Sequence, residues 1–152
     1  MEGKTPAREG PPNRSAFARF VPTPTRWSDN DVYGHINNVV YFSYFDTAVN
    51  FVFVEAGLLD PRDGAVIGLV AETSCRFYSE LAFPDAVEIG ITVEKLGNSS
   101  VVYRVAAFKA GAESASAEGR FVHVYVERSK RRPITIPEPQ RRLMESLRPP
   151  AS

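Results

Sequence analysis

The chain has 152 residues, enough for one domain that buries roughly two thirds of its unfolded surface. Eighteen basic residues balance eighteen acidic ones, so the overall charge predicts neither a nucleic-acid nor a membrane partner. The single cysteine, Cys75, excludes an internal disulfide, and with only two histidines no Cys/His metal site is expected. Because the sequence shows no signal-peptide pattern, the cytoplasm is the expected location.

The first half of the chain predicts a tail, a strand and a long helix. Residues 1–15 are rich in proline, glycine and charge, so we expect a disordered tail there. Residues 17–27 are strand-like, and their two prolines confine this strand to a sheet edge or a bulge. A helix is predicted over residues 38–56, with Gly57 placed to end it. It is apolar nearly all round, which predicts burial on several sides, yet it is too short and too polar to span a membrane.

The second half predicts four consecutive strands. Three cover residues 65–77, 101–109 and 114–126, and the fourth, residues 87–94, alternates apolar and polar side chains as a half-buried strand does. Strands joined by short turns favour an antiparallel sheet. We therefore predict an α+β fold in which a curved antiparallel sheet wraps around the helix. The domain is expected over residues 16–137, and residues 138–152 form a C-terminal tail with room for a short helix at 139–147.

The densest polar segment lies directly before the helix. Residues 29–41 read DNDVYGHINNVVY, which is typical either of a helix-start device or of a reacting centre. In the first interpretation Asp31 is only a turn residue and Asn37 is the N-cap of the helix. Asp29 is expected to be a structural acid that binds turn amides.

This segment carries a family resemblance. Residues 26–41 resemble the signature of the hotdog-fold acyl-CoA thioesterases, in the branch of the 4-hydroxybenzoyl-CoA thioesterase. Three later segments are similar to that family as well, namely CRFYSEL with FPD in residues 75–85, GNSS in residues 97–100, and residues 124–133. The likeness covers residues 16–137, and the first motif is its specific part. It implies a hotdog fold, hydrolysis of an acyl-CoA thioester, and a homodimer or homotetramer with the pocket between subunits.

The resemblance assigns roles to residues of the motif. It implies that Asp31 is the catalytic acid, either as a nucleophile or as a base that activates water. It also implies that the backbone N–H of Asn38, at the positive end of the helix dipole, stabilises the oxyanion. Gly34 would let the chain pass close to the thioester, and Asn37 would begin the helix. His35 would orient the Asp31 loop, with a direct catalytic part as the alternative.

Several candidates outside the motif concern the substrate. Tyr41 is expected to be a packing residue of the helix and could also line an acyl tunnel. Asp46 is a charge on a helix predicted to be buried, which makes it a specificity candidate. His123 is predicted to be a strand residue whose hydrogen bonds are satisfied. A basic cluster could hold the phosphates of coenzyme A or be a solvated charge run, and it consists of Arg128, Lys130, Arg131 and Arg132.

The expected activity is hydrolysis of an acyl-CoA to a free acid and coenzyme A. No cofactor and no metal are expected, since coenzyme A is part of the substrate. The sequence contains no Gly-x-Ser-x-Gly elbow, P-loop or dinucleotide fingerprint. Two alternatives stay open on the same fold. One is a non-catalytic binding module for acyl-CoA or an acyl carrier, which the presence of Asp31 disfavours. The other is a hotdog dehydratase, whose Asp/His pair the motif resembles less.

Overall fold

The computed structural model describes residues 10–151, and one antiparallel sheet organises them. Its strands run in the order β1-β3-β4-β5-β2, with every neighbouring pair antiparallel. The strands are β1 Arg19–Pro22, β2 Val66–Phe77, β3 Val87–Leu96, β4 Ser100–Lys109 and β5 Ala117–Glu127, and the helices are α1 Asn38–Glu55 and α2 Glu138–Ser146. The predicted α+β arrangement of a curved antiparallel sheet and one long helix is confirmed.

The two edges of the sheet differ in length. β1 has four residues, contains Pro22 and pairs only with β3, so the predicted edge position is confirmed. β2 has twelve residues and pairs only with β5, with a bulge between Val70 and Glu72. Most of its side chains are exposed, including the apolar Val70 and Phe77. Within the described part of the chain, the other edge of β2 therefore offers its backbone groups to solvent.

Helix α1 lies on the concave side of the sheet and supplies much of the core. It begins where Asn37 caps it and ends before Gly57, whose φ of 73° is a left-handed conformation that glycine adopts without strain. One side of the helix is buried against the sheet through Tyr41, Tyr44, Phe45, Ala48, Val49, Val52 and Phe53. The opposite side leaves Val39, Phe51 and Val54 exposed. The sequence predicted that the helix is buried on several sides, and within a single chain this prediction does not hold.

The packed region extends beyond residues 16–137. At the N-terminal end Asn13 bridges Ser114, while residues 1–9 of the predicted tail lie outside the described residues. At the C-terminal end α2 lies where the sequence left room for a short helix. Its Met144 is fully buried and Leu147 is nearly so, so this segment belongs to the core. Within residues 10–151, no helix is long and apolar enough to cross a membrane.

Strand β3 is buried on both faces, and the prediction of a half-buried strand is wrong. Its inner side chains meet α1. On the other face, Phe17 and Phe108 pack against Gly90, where a Cβ would come within 3.0 Å of the Phe17 ring. Thr92 Oγ1 donates to the carbonyl oxygen of Leu147 at 2.8 Å. The sequence alternation could not reveal these covers, because they come from both ends of the chain.

Candidate functional site

The polar motif folds into a closed turn before α1. The Asp31 N–H donates to the His35 carbonyl at 2.8 Å, and the Asn37 N–H donates to the Asp29 carbonyl at 2.9 Å. Between these two bonds, Asn30 and Ile36 form an antiparallel bridge. Residues 29–31 therefore lie alongside residues 35–37, and the helix starts at the next residue. The turn brings Asp31, Gly34, His35, Asn37 and Asn38 together, as the resemblance implies.

Asp31 holds the turn with one carboxylate oxygen. Its Oδ1 accepts hydrogen bonds from the Tyr33 N–H at 2.8 Å and from the His35 N–H at 3.4 Å. Its Oδ2 accepts none from residues 10–151, and the side chain is half-buried. An acid arranged in this way is fixed in position yet keeps one oxygen for a substrate or a water molecule.

The start of α1 offers a free backbone donor. Asn37 Oδ1 accepts from the Val39 N–H at 3.1 Å, and the Asn37 carbonyl accepts from the Val40 N–H at 2.9 Å. The intervening Asn38 N–H has no partner in the described part of the chain, and Asn38 is exposed. A free N–H at the positive end of a helix is suited to bind a negatively charged oxygen.

Gly34 is needed for its backbone conformation. Its φ is 85°, in the left-handed region, and a Cβ built there would meet nothing within 4 Å. The turn therefore requires glycine to avoid backbone strain and not to relieve crowding.

Asp29 is the buried anchor of the turn. Its carboxylate is fully buried and accepts from Tyr44 Oη at 2.6 Å, from the Arg26 N–H at 2.9 Å, and from the Arg26 guanidinium at 2.9 and 3.1 Å. Burial raises the pKa of Asp29, but the hydrogen bonds from Tyr44 and Arg26 outweigh it and leave the pKa below its ordinary value. The structural role expected for Asp29 is what the structure shows, and its partners Arg26 and Tyr44 were not identified from the sequence.

The side chains of His35 and Tyr41 contact residues other than Asp31. His35 Nε2 lies 2.9 Å from Glu80 Oε2, so only the backbone of His35 touches Asp31. Tyr41 is buried, with its ring 5.1 Å from that of Phe77 in an edge-to-face contact. Burial raises the pKa of Tyr41 to about 12, so the phenol stays protonated at neutral pH.

The remaining substrate candidates lie far from the turn within one chain. Asp46 is exposed on α1, where its Oδ1 accepts from Asn50 Nδ2 at 3.1 Å, so the buried charge expected from the sequence does not exist. The Arg128 guanidinium donates to the carbonyls of Gly64 and Pro61 at 2.5 and 2.8 Å, which shows that it fastens a turn. The other basic residues, Lys130, Arg131 and Arg132, are exposed.

The basic cluster and the motif lie at opposite ends of β2. The Arg128 N–H donates to the carbonyl of Ala65, just before the strand. The Ile36 N–H donates to the carbonyl of Leu81, shortly after the strand ends at Phe77. Twelve extended residues span roughly 40 Å, so one chain cannot place its own basic cluster beside its own Asp31.

A cavity of about 460 Å³ lies between the second half of α1, the start of β2 and the end of β5. Its wall is chiefly apolar, and its polar members include His123, Tyr125 and Asn50. The His123 side chain is only 3% exposed, and its Nε2 has no hydrogen-bond partner among residues 10–151. The prediction that His123 is a satisfied strand residue is wrong. The alternating pattern of the strand indicated that the His123 side chain is buried. It could not indicate whether the ring nitrogens have hydrogen-bond partners.

His123 predicts a loss of stability in mild acid. Burial lowers its pKa from 6.5 to about 4, so below pH 6.5 the unfolded chain takes up a proton that the folded chain refuses. His123 therefore leaves the free energy of unfolding unchanged above pH 6.5. As the pH drops toward 4, it lowers that free energy by about 3 kcal/mol at most. Urea unfolding at pH 7, 5.5 and 4.5 measures this slope, and His123→Phe is the control in which it should disappear. An unchanged slope in that variant would assign the loss to other groups.

The described residues hold no group of three or more His, Cys, Asp or Glu side chains placed to bind a metal ion. The groups that the turn itself offers for chemistry are one carboxylate and one backbone N–H.

Comparisons with known proteins place this chain in a family. The family model of the thioesterase-like superfamily matches residues 25–144. The crystal structure of the PA5185 protein from Pseudomonas aeruginosa strain PAO1 is 48% identical, covers 93% of this chain and 99% of its own, and superposes with a TM-score of 0.90. A thioesterase from Thermus thermophilus, complexed with coenzyme A and Zn, is 30% identical, covers 86% of this chain and 95% of its own, and has a TM-score of 0.70.

A more distant solved structure agrees on the fold, and one curated protein matches part of the sequence. Slr0204 from Synechocystis, a 1,4-dihydroxy-2-naphthoyl-CoA thioesterase, is 13% identical, with 82% of this chain and 93% of its own covered and a TM-score of 0.74. Among curated proteins, YsmA of Bacillus subtilis (strain 168) is 24% identical over 88 residues, which is 58% of this chain and 59% of YsmA. The predicted hotdog fold is confirmed, and this chain belongs to the thioesterase-like superfamily.

Proposed function

We propose that this protein hydrolyses an acyl-CoA thioester to a free acid and coenzyme A. The observation that carries the proposal is that the free Oδ2 of Asp31 and the free N–H of Asn38 belong to one closed turn. Hydrolysis of a thioester needs these two parts, an attacking or base group and a donor for the developing oxyanion. The Thermus thermophilus relative, complexed with coenzyme A, supports coenzyme A as the carrier.

The two parts would act on the same carbonyl group. As a base, Asp31 takes a proton from water while the water oxygen bonds to the carbonyl carbon. As a nucleophile, Asp31 bonds to that carbon itself, forming an anhydride that water then cleaves. In both routes the Asn38 N–H stabilises the negative carbonyl oxygen, the C–S bond breaks, and coenzyme A leaves as the thiol after taking up a proton.

A second copy of the chain would complete the site. The free edge of β2 is long and partly apolar, and edges of this kind pair with another strand. Two copies paired antiparallel about a two-fold axis near the bulge would bring the start of one β2 beside the end of the other. Phe77, which contacts Tyr41, would then face the start of the partner's β2. This pairing would also carry the partner's basic cluster toward Asp31, where it could bind the phosphates of coenzyme A.

Val70→Lys is expected to separate the copies. Val70 is 48% exposed at the centre of β2, so a lysine is tolerated in one chain but places two like charges together in the pair. In sedimentation or light scattering the mass should fall from a multiple of 16.8 kDa to 16.8 kDa, and acyl-CoA hydrolysis should fall with it. Ala110→Lys adds the same charge in the exposed turn after β4 and should change neither. A Val70→Lys protein that keeps the parent mass would rule out this interface.

The activity itself is tested with a panel of acyl-CoAs that differ in chain length, branching and aromatic content. Release of free thiol is followed with a chromogenic disulfide reagent, and we expect saturable turnover of at least one class. If the pure protein binds acyl-CoA but releases no thiol from any member, it is a non-catalytic binding module.

A further inference from the structure

The cavity beside His123 combines apolar walls with a buried imidazole. Phe53, Val66 and Leu58 are among its lining residues, whereas His123 Nε2 lacks any hydrogen-bond partner in the described residues. The imidazole is fixed by aromatic contacts, with its ring 5.1 Å from that of Phe121 and 5.7 Å from that of Tyr103. A buried nitrogen of this kind is costly unless something pairs with it.

A glycine keeps the cavity open beside the other ring nitrogen of His123, Nδ1. A Cβ at Gly68 would come within 3.3 Å of both His123 Nδ1 and the Tyr125 ring. The φ of Gly68 lies outside the left-handed region, so its backbone conformation does not require glycine. The absent side chain therefore matters for the space it leaves next to His123.

We propose that this cavity binds the distal part of the acyl group and that His123 forms a hydrogen bond with an oxygen on it. The preferred substrates would then be hydroxyacyl-CoAs or oxoacyl-CoAs. The inference rests on the proposed hydrolase function, since it names the substrate class of that site. About 460 Å³ lies within the range of pockets for small organic ligands.

The state of the imidazole narrows the ligand further. Burial lowers the pKa of His123 to about 4, so at neutral pH the ring carries no charge. A neutral imidazole can donate to a keto oxygen or accept from a hydroxyl group. The charged residue in the cavity lining, Arg128, already donates to the carbonyls of Gly64 and Pro61.

Pairing of two copies would connect this cavity to the reacting turn. Within one chain the cavity borders Asn50 and Phe53 on α1, roughly 18 Å or more along the helix from Asn38. Across the proposed interface, the start of β2 and Gly68 within it would lie beside the partner's Cys75 and Phe77, next to the start of its helix. An acyl group attached at one turn would then extend into the other subunit's cavity.

Kinetics test the proposal with matched substrates. Decanoyl-CoA is compared with the set of its monohydroxy derivatives, and the best hydroxylated member should have a kcat/KM about tenfold higher. In His123→Phe, which keeps the ring and removes both nitrogens, this preference should vanish while decanoyl-CoA is still hydrolysed. Tyr103→Phe is the matched control, since it removes a neighbouring buried hydroxyl that does not line the cavity, and it should keep the preference. Gly68→Ala should weaken binding of the longer acyl groups.

A second measurement leaves His123 unchanged, so it stays informative if the His123→Phe variant fails to fold. The chain has two histidines, so ¹⁵N-labelled imidazole spectra show two side chains, and His35→Gln assigns them. Free hydroxydecanoic acids should shift the imidazole ¹⁵N signals of His123, that of Nδ1 beside Gly68 above all, and decanoic acid should not.

The outcomes separate this inference from the proposed activity. Equal kcat/KM for plain and hydroxylated chains, with no selective shift at His123, would overturn the inference and leave the hydrolase intact. A selective shift at His123 without hydrolysis of any acyl-CoA would support the cavity assignment and overturn the activity.

Discussion

Replacing Asp31 with asparagine is expected to lower kcat for acyl-CoA hydrolysis by at least about 100-fold while the fold is retained. The amide oxygen of asparagine can still accept from the Tyr33 and His35 N–H groups, so the turn keeps its hydrogen bonds. What is lost is the charge, and with it the ability to attack the thioester or to remove a proton from water. Initial rates of thiol release at saturating acyl-CoA measure the loss, and circular dichroism with thermal melting checks the fold.

A matched control shows whether the rate falls when any exposed carboxylate is removed or only when that of Asp31 is removed. Glu113 is an exposed acid in the turn after β4, and Glu113→Gln should keep the parent rate. Parent-level hydrolysis by Asp31→Asn would show that another group attacks the thioester. If the residual rate of Asp31→Asn is the same from pH 6 to 9, as expected, no second base has taken over.

Replacing Asp29 with alanine is expected to destabilise the protein by about 3 kcal/mol. The carboxylate is fully buried and accepts four hydrogen bonds, so its removal leaves the Tyr44 hydroxyl buried without its partner. Because the Asn37 N–H donates to the Asp29 carbonyl, the helix start should loosen as well, and the acyl-CoA KM should rise. Chemical unfolding at pH 7 measures the first effect.

A double-mutant cycle assigns the cost to a particular contact. Tyr44→Phe removes only the hydroxyl and should cost about 1–2 kcal/mol. The double variant Asp29→Ala with Tyr44→Phe should cost less than the sum of the two, because the second change removes the group that the first left unpaired. Strict additivity would mean that the short Tyr44–Asp29 hydrogen bond contributes nothing to stability. The contribution of Asp29 is also expected to vanish in strong acid, below its lowered pKa.

The order of elements could be predicted because it depends on local patterns. Gly57 ends α1 and Pro22 marks an edge strand through backbone restrictions that any fold would obey. The motif was informative for the same reason, since an acid, a glycine and asparagines before a helix specify a turn by themselves.

The features that were missed depend on residues far apart in the sequence. Tyr44 meets Asp29 only when the turn has closed over α1, and Glu80 reaches His35 from beyond β2. Burial of both faces of β3 requires the two ends of the chain. The unpaired nitrogen of His123 follows from tertiary packing that no alternation along β5 records.

The exposed edge of β2 would make a newly made chain vulnerable until a second copy covers it in the proposed pair. The outer edge of this twelve-residue strand can template any extended segment, including a misfolded copy. The bulge at the centre of the strand disturbs the regular spacing of its donors and acceptors, which restricts the partners that fit. In the proposed pair, dilution should shift the balance back toward single chains, so the activity per chain should fall when the protein is scarce.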